Sequence, residues 1–165
     1  MQRIVYNTHM LLNLLRQLDG CWVGHGKGRY PTIESFEYAE ETNLGLSLAY
    51  PMVRWEQRTT LLPNGKAGHW ELGFLRPCDD GSLELSTAQD SGRVEVVRGV
   101  PQVTEFGFQL ELRSTFLGND SRLISTARSI IVRNNELHYV KYMSTNTTPA
   151  PVHMQHLEAT LRRVQ

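Results

Sequence analysis

The chain has 165 residues, 40% of them hydrophobic, enough for a single domain with its own core. Its 17 basic and 17 acidic residues balance to a formal charge of zero. That balance argues against nucleic acid or an anionic membrane as a partner and favours a small molecule. Cys21 and Cys78 lack the spacing of a metal site and read as two half-buried thiols of a cytoplasmic protein.

Leu11, Leu12, Leu15 and Leu18 mark one face of a short N-terminal helix. Asn13 and Arg16 interrupt it and no small-residue cleavage site follows, so it reads as neither signal peptide nor membrane span. From Gly20 onward the chain reads as strand after strand. Turn signals fall at Pro63-Asn64-Gly65, Asp79-Asp80-Gly81, Asp90-Ser91-Gly92, Gly118-Asn119-Asp120 and Asn134-Asn135. Between them, Val53 to Thr59 and Phe106 to Arg113 alternate apolar with polar residues, as in a sheet wet on one face. The spacing predicts an all-β fold: roughly ten antiparallel strands in an up-and-down β-barrel that closes to remove its edges. The helix and its lead-in, residues 1–19, lie over one end of a single barrel domain, residues 20–165. No repeat, low-complexity stretch or linker interrupts it.

The segment Gly20 to Ile33 is the least generic part of the chain. Glycines at 20, 24, 26 and 28 of a strand-like run give up packing and backbone entropy, which implies that a backbone, an aromatic ring or a ligand lies very close. Six histidines are available, at 9, 25, 69, 138, 153 and 156. None pairs at the spacing of a helical zinc site, and a lone histidine is most simply a surface or hydrogen-bonded structural residue. Gly24-His25-Gly26-Lys27-Gly28 has neither the spacing nor the strand-to-helix context of a nucleotide loop, and no nucleophile elbow is present.

Gly20-x-Trp22-x-Gly24-x-Gly26, then Tyr30-Pro31-Thr32-Ile33 and Phe36-x-Tyr38-x-Glu40-Glu41, resembles the signature of the nitrobindins. Further matching segments follow in order: Gln57-Arg58-Thr59, His69-x-Glu71-x-Gly73-Phe74-x-Arg76, Ala88-Gln89-x-x-Gly92-x-Val94-Glu95-Val96, Met143-Ser144-Thr145, and His156-Leu157-x-Ala159-x-Leu161. The resemblance implies a lipocalin-like or fatty-acid-binding-protein-like barrel holding one ferric haem b at its open end. It implies an axial histidine on the last strand, for which a neutral imidazole is well suited. His156 takes that place, with His153 as the alternative. The two lie an odd number of positions apart and so face opposite sides of an unbroken strand.

By the same resemblance Thr32 contacts the haem, the neighbouring glycines let the strand approach the porphyrin, and His69 and Gln89 project into the cavity. A cross-strand polar pair is the competing reading of the last two. Trp22 and Trp55 read as core or barrel-end plugs, while Arg58 and Arg76 have either the Glu40-Glu41 side or a haem propionate as partner. The chain departs from the family at Thr42 to Tyr50, without the histidine and glycine that the family usually has before the proline at Pro51, and at Asn146 to Gln155, which is longer. The implied activity is binding of nitric oxide and isomerisation of peroxynitrite to nitrate, with no distal general base. The alternative is a carrier of a fatty acid or another apolar ligand, its carboxylate held by Arg128 and Tyr139. A third reading is a barrel whose altered segments have closed the haem site. Monomer and homodimer are both open.

Overall fold

The structure, a computed structural model, describes residues 8–47, 49–149 and 152–164. Helix α1 (Thr8–Arg16) precedes eleven strands: β1 (Gly20–Tyr30), β2 (Ile33–Ser47), β3 (Met52–Leu62), β4 (Ala67–Pro77), β5 (Leu83–Gln89), β6 (Val94–Gly99), β7 (Pro101–Thr104), β8 (Gly107–Gly118), β9 (Leu123–Arg133), β10 (Glu136–Thr145) and β11 (Met154–Val164). Consecutive strands pair antiparallel except β6 and β7, β1 also pairs with β11, and β6 pairs with β8. Arg98 stands opposite Arg113 and Pro101 opposite Leu110. These two pairs keep one register, so β6 and β7 form a single interrupted stave. The closed barrel therefore has ten staves, as the turn spacing predicted.

Inside, the barrel is built in three layers. The end nearest α1 is apolar: Leu11, Leu15 and Leu18 pack with Trp22, Leu44, Val53, Leu75 and Phe108 in one cluster. Leu14 rather than Leu12 completes the buried stripe of the helix, because Leu12 is only partly covered. Trp22 closes this end as a plug, its indole N–H donating to the Leu18 carbonyl at 2.7 Å.

The middle layer is ionic. Arg128, 2% exposed, donates from Nη1 to Glu71 Oε1 (2.6 Å) and from Nη2 to Glu71 Oε2 (3.1 Å), and its Nη2 also bonds Glu95. Lys141 Nζ donates to Glu71 Oε2 (3.2 Å) and to Gln57 Oε1 (3.1 Å), and Trp55 Nε1 donates to Glu71 Oε1 (3.0 Å). Beside this cluster, Glu40 accepts from Tyr139 (2.5 Å), Thr42 (2.7 Å) and Gln57 (2.8 Å). Burial pushes the Glu71 carboxyl up, but Arg128 and Lys141 outweigh it and hold it well below the usual range. The same balance, burial against Arg128, lowers Glu95. Burial wins at Glu40, whose carboxyl is raised despite its three donors.

The glycines of β1 meet protein. A Cβ on Gly24 would stand 2.1 Å from the Thr160 carbonyl oxygen of β11, one on Gly26 2.3 Å from the Tyr38 ring, and one on Gly28 2.2 Å from the Phe36 ring. The expectation that the glycines admit the porphyrin to the strand is thus corrected: the flat groups against Gly26 and Gly28 are the rings of β2.

Gly24→Ala must part β1 from the β11 backbone and should destabilise by about 3 kcal/mol, whereas Gly28→Ala needs only a shift of the end of the Phe36 ring and should cost about 1 kcal/mol; urea unfolding gives the order. Glu71→Ala leaves the Arg128 guanidinium short of a partner and should cost about 3–5 kcal/mol in the same assay. Truncating Arg76, which pairs with Glu84 at the surface, should cost under about 1 kcal/mol. Because Glu71 and Glu95 are depressed in the fold, their stabilisation is complete above the ordinary value of 4.5 and is lost as pH falls through their lower folded values.

Candidate functional site

The open end of the barrel, away from Trp22, holds a cavity of about 420 Å³, within the range of about 300–1,000 Å³ typical of small-molecule and cofactor sites. Its walls are mainly apolar, from Ile33 and Phe36 of β2, Leu61 of β3, Ala127 of β9, Met143 of β10 and Leu157 of β11. The ionic layer is its floor, exposing edges of Glu95, Arg128 and Lys141. Two histidines reach it, His69 from β4 and His156 from β11.

A β-bulge aims His156. Lys141 stands opposite Leu157 but Tyr142 opposite Gln155, which leaves His156 as the extra residue on β11. The bulge interrupts the alternation on which the opposition of His153 and His156 depended, and both His156 and Leu157 line the cavity. The opening motif then fixes the ring. His156 Nδ1 lies 3.1 Å from the Arg29 carbonyl oxygen. A carbonyl can only accept, so Nδ1 carries the proton and Nε2 keeps a free lone pair. The Tyr30 ring meets the imidazole edge-on, with centroids 5.8 Å apart and planes at 81°, and its own hydroxyl bonds Thr145 Oγ1 at 3.0 Å. Arg29 Nη2 donates to Gln155 Oε1 (3.1 Å), tying the bulge to β1 from outside. Burial lowers the His156 pKa, with Lys141, Arg93 and His69 adding in the same direction against the Arg29 bond. Neutral, oriented and open at Nε2, it has the form of a metal-ligating imidazole.

The other expected residues are spread more widely. His153 precedes β11, is exposed, and stacks on Tyr142 at 6.4 Å. His69 stands across the barrel between two carboxylates, Nε2 at 3.4 Å from Glu71 and Nδ1 at 3.5 Å from Asp90. Thr32 is exposed in the two-residue turn between β1 and β2, beside the wall residue Ile33. Gln89 ends β5 opposite Glu71, on the alternation that buries Leu85 and Thr87. Neither Thr32 nor Gln89 is among the described residues that form the wall. Arg58 stands opposite Glu41 in the β2–β3 ladder, pairs with Glu56 and covers Trp70 on the outer surface, and Arg76 pairs with Glu84; neither is among the cavity's lining residues, which corrects the propionate reading of both.

Arg128 and Tyr139, offered for the carboxylate of a lipid, are already committed to Glu71, Glu95 and Glu40. That removes the anchor of the carrier reading. The sequence missed Arg93, Lys141 and Tyr30. Tyr30 was within reach, since it continues the even-numbered inward face of β1 from Trp22 through Gly28. Arg93 lines the cavity, pairs with Asp120 at 2.6 Å, and keeps a buried Nε without a partner among the described residues. A free imidazole nitrogen, apolar walls and an unpartnered guanidinium N–H together fit a flat, apolar, acid-bearing ligand with a metal at its centre.

Comparison with known proteins agrees with this reading. The family described as "THAP4-like, heme-binding beta-barrel domain" matches residues 11–163. The chain is 38% identical over 148 residues to "Peroxynitrite isomerase Rv2717c" of Arabidopsis thaliana, covering 90% of this chain and 87% of that protein. It is 36% identical over 159 residues to "Peroxynitrite isomerase 1" of Mycobacterium tuberculosis, covering 92% and 94%. The crystal structure of Rv2717c from M. tuberculosis superposes with a TM-score of 0.86 at 32% identity, covering 98% of this chain and all of that one. The chain belongs to the THAP4-like haem-binding β-barrel family, the nitrobindins.

Proposed function

We propose that the barrel holds one ferric haem b, ligated axially by His156 Nε2, and that it binds nitric oxide and isomerises peroxynitrite to nitrate. The observation that carries this reading is the bond from His156 Nδ1 to the Arg29 carbonyl, which leaves the second ring nitrogen bare at the cavity wall. The names of the relatives, peroxynitrite isomerases, support the activity.

Bound there, the haem iron supplies the site at which nitric oxide binds and peroxynitrite rearranges. The chain does the rest. His156 donates a lone pair whose strength the Arg29 carbonyl raises. Phe36, Leu157 and Met143, apolar lining residues, would pack on the porphyrin and exclude water. Arg93 Nε would take a propionate, while Thr32, in the turn after β1, and Gln89, at the end of β5, would approach the haem edge from outside the wall. His69, from the wall across the barrel, would share the cavity with the haem opposite His156.

Titrating the apo-protein with haemin and following the Soret band tests this directly. His156→Ala should weaken binding by about 10²-fold or more, while His153→Ala keeps the wild-type spectrum and affinity. The reverse result, or unchanged binding in both, overturns the assignment. The depressed pKa of His156 also fixes a pH dependence. Only the neutral ring ligates, so affinity should hold as pH falls through 6.5, the value of an ordinary imidazole, and drop only at more acid pH.

A further inference from the structure

The cavity wall contains one phenol with a built exit for its proton. The Tyr38 ring lines the cavity and is 1% exposed. Its hydroxyl oxygen lies 2.9 Å from that of Tyr139. Tyr139 gives its own proton to Glu40 Oε2 at 2.5 Å and accepts from Gln57 Nε2 at 2.8 Å. The Tyr38 hydroxyl has two acceptors, the Tyr139 oxygen at 2.9 Å and the more distant Glu158 carbonyl at 3.4 Å; with Tyr139 donating to Glu40 the nearer bond is donated by Tyr38, and the chain runs from cavity wall to buried carboxylate. Removing an electron from a phenol is easy only if its proton leaves at the same time, and that needs a base in hydrogen-bond reach. Burial makes Glu40 a stronger base than an exposed carboxylate. Tyr142, the other tyrosine of the wall, has no such chain: its ring stacks on the exposed His153.

We propose that Tyr38 is a one-electron donor to oxidants that enter the cavity, with Tyr139 and Glu40 as the route by which its proton leaves. The oxidant is a small one-electron acceptor such as nitrogen dioxide, which homolysis of peroxynitrite yields; only this source rests on the function proposed above. Nitrogen dioxide takes one electron from Tyr38 and becomes nitrite. The Tyr38 O–H bond breaks as its proton joins the Tyr139 oxygen, and the Tyr139 proton joins Glu40. The products are nitrite, a neutral Tyr38 phenoxyl radical, an intact Tyr139 phenol and a Glu40 carboxylic acid. Tyr38 reacts; Tyr139 and Glu40 position and receive the proton. The site would scavenge radicals that escape the iron.

Pulse radiolysis that generates nitrogen dioxide, followed by absorbance and freeze-quenched electron paramagnetic resonance, tests this on the apo-protein and on the haem-loaded protein. A phenoxyl radical is expected in both, lost in Tyr38→Phe and kept in Tyr142→Phe. Tyr139→Phe and Glu40→Gln should leave the radical on Tyr38 but slow its formation by about 10²-fold. Tyr139→Phe keeps the buried carboxylate and the ring, so it serves if Glu40→Gln does not fold. Heavy water should slow the wild type with no substitution at all. A radical yield independent of Tyr38, or a rate unchanged in Tyr139→Phe and in heavy water, overturns the proposal. A normal Soret band without a Tyr38 radical defeats this inference alone, and a Tyr38 radical in a protein that takes up no haem defeats the functional reading alone.

Discussion

Arg128 inside the barrel is the constraint around which the rest is arranged. A guanidinium cannot lose its proton, and this one is only 2% exposed, so the strands must bring it carboxylates. Glu71 arrives from β4 and Glu95 from β6, with Lys141 and Trp55 closing the free valences of Glu71. The cluster divides the interior. Below it, side chains pack to an apolar core under α1; above it a cavity remains. The network is both the floor of the site and the tie between opposite staves.

The seam between β1 and β11 does for the histidine what the ionic layer does for the floor. Sequence places Gly20 to Ile33 and His156 at opposite ends of the chain, and the barrel closes by pairing them. Arg29 and Tyr30 then act on one neighbour, His156, and Gly28 on another, Phe36. The carbonyl of the first sets the tautomer of His156, the ring of the second sets its plane, and the missing side chain of the third makes room for Phe36.

Much of this was legible from sequence, and the failures share a cause. Turn chemistry located the hairpins, and alternation predicted the barrel. Glycine density and the Tyr-Pro-Thr-Ile run pointed to the family. Alternation gave no view of what lies inside, because it equates apolar with buried. On β4 the rule is inverted: His69, Glu71 and Gly73 face inward while Trp70, Leu72 and Phe74 are 45%, 42% and 52% exposed. Read by hydropathy alone that strand turns inside out. Only the ladders to β3 and β5, whose own inward residues include Gln57, Thr59 and Thr87, fix its face. Arg58 and Arg76 were drawn toward the site for the same reason, since a charge on a strand carries no sign of which face it occupies. The bulge at His156 is a register event and has no composition of its own.

That bulge has an evolutionary consequence. On a regular strand, a side chain's aim is inherited from the turn before it, and inserting one residue in that turn would point the imidazole at solvent. Here the extra residue absorbs the phase, and the ring is held laterally by β1 through the Arg29 carbonyl and Tyr30. A change in length ahead of β11 is thereby taken up before it reaches His156, without moving the ligand.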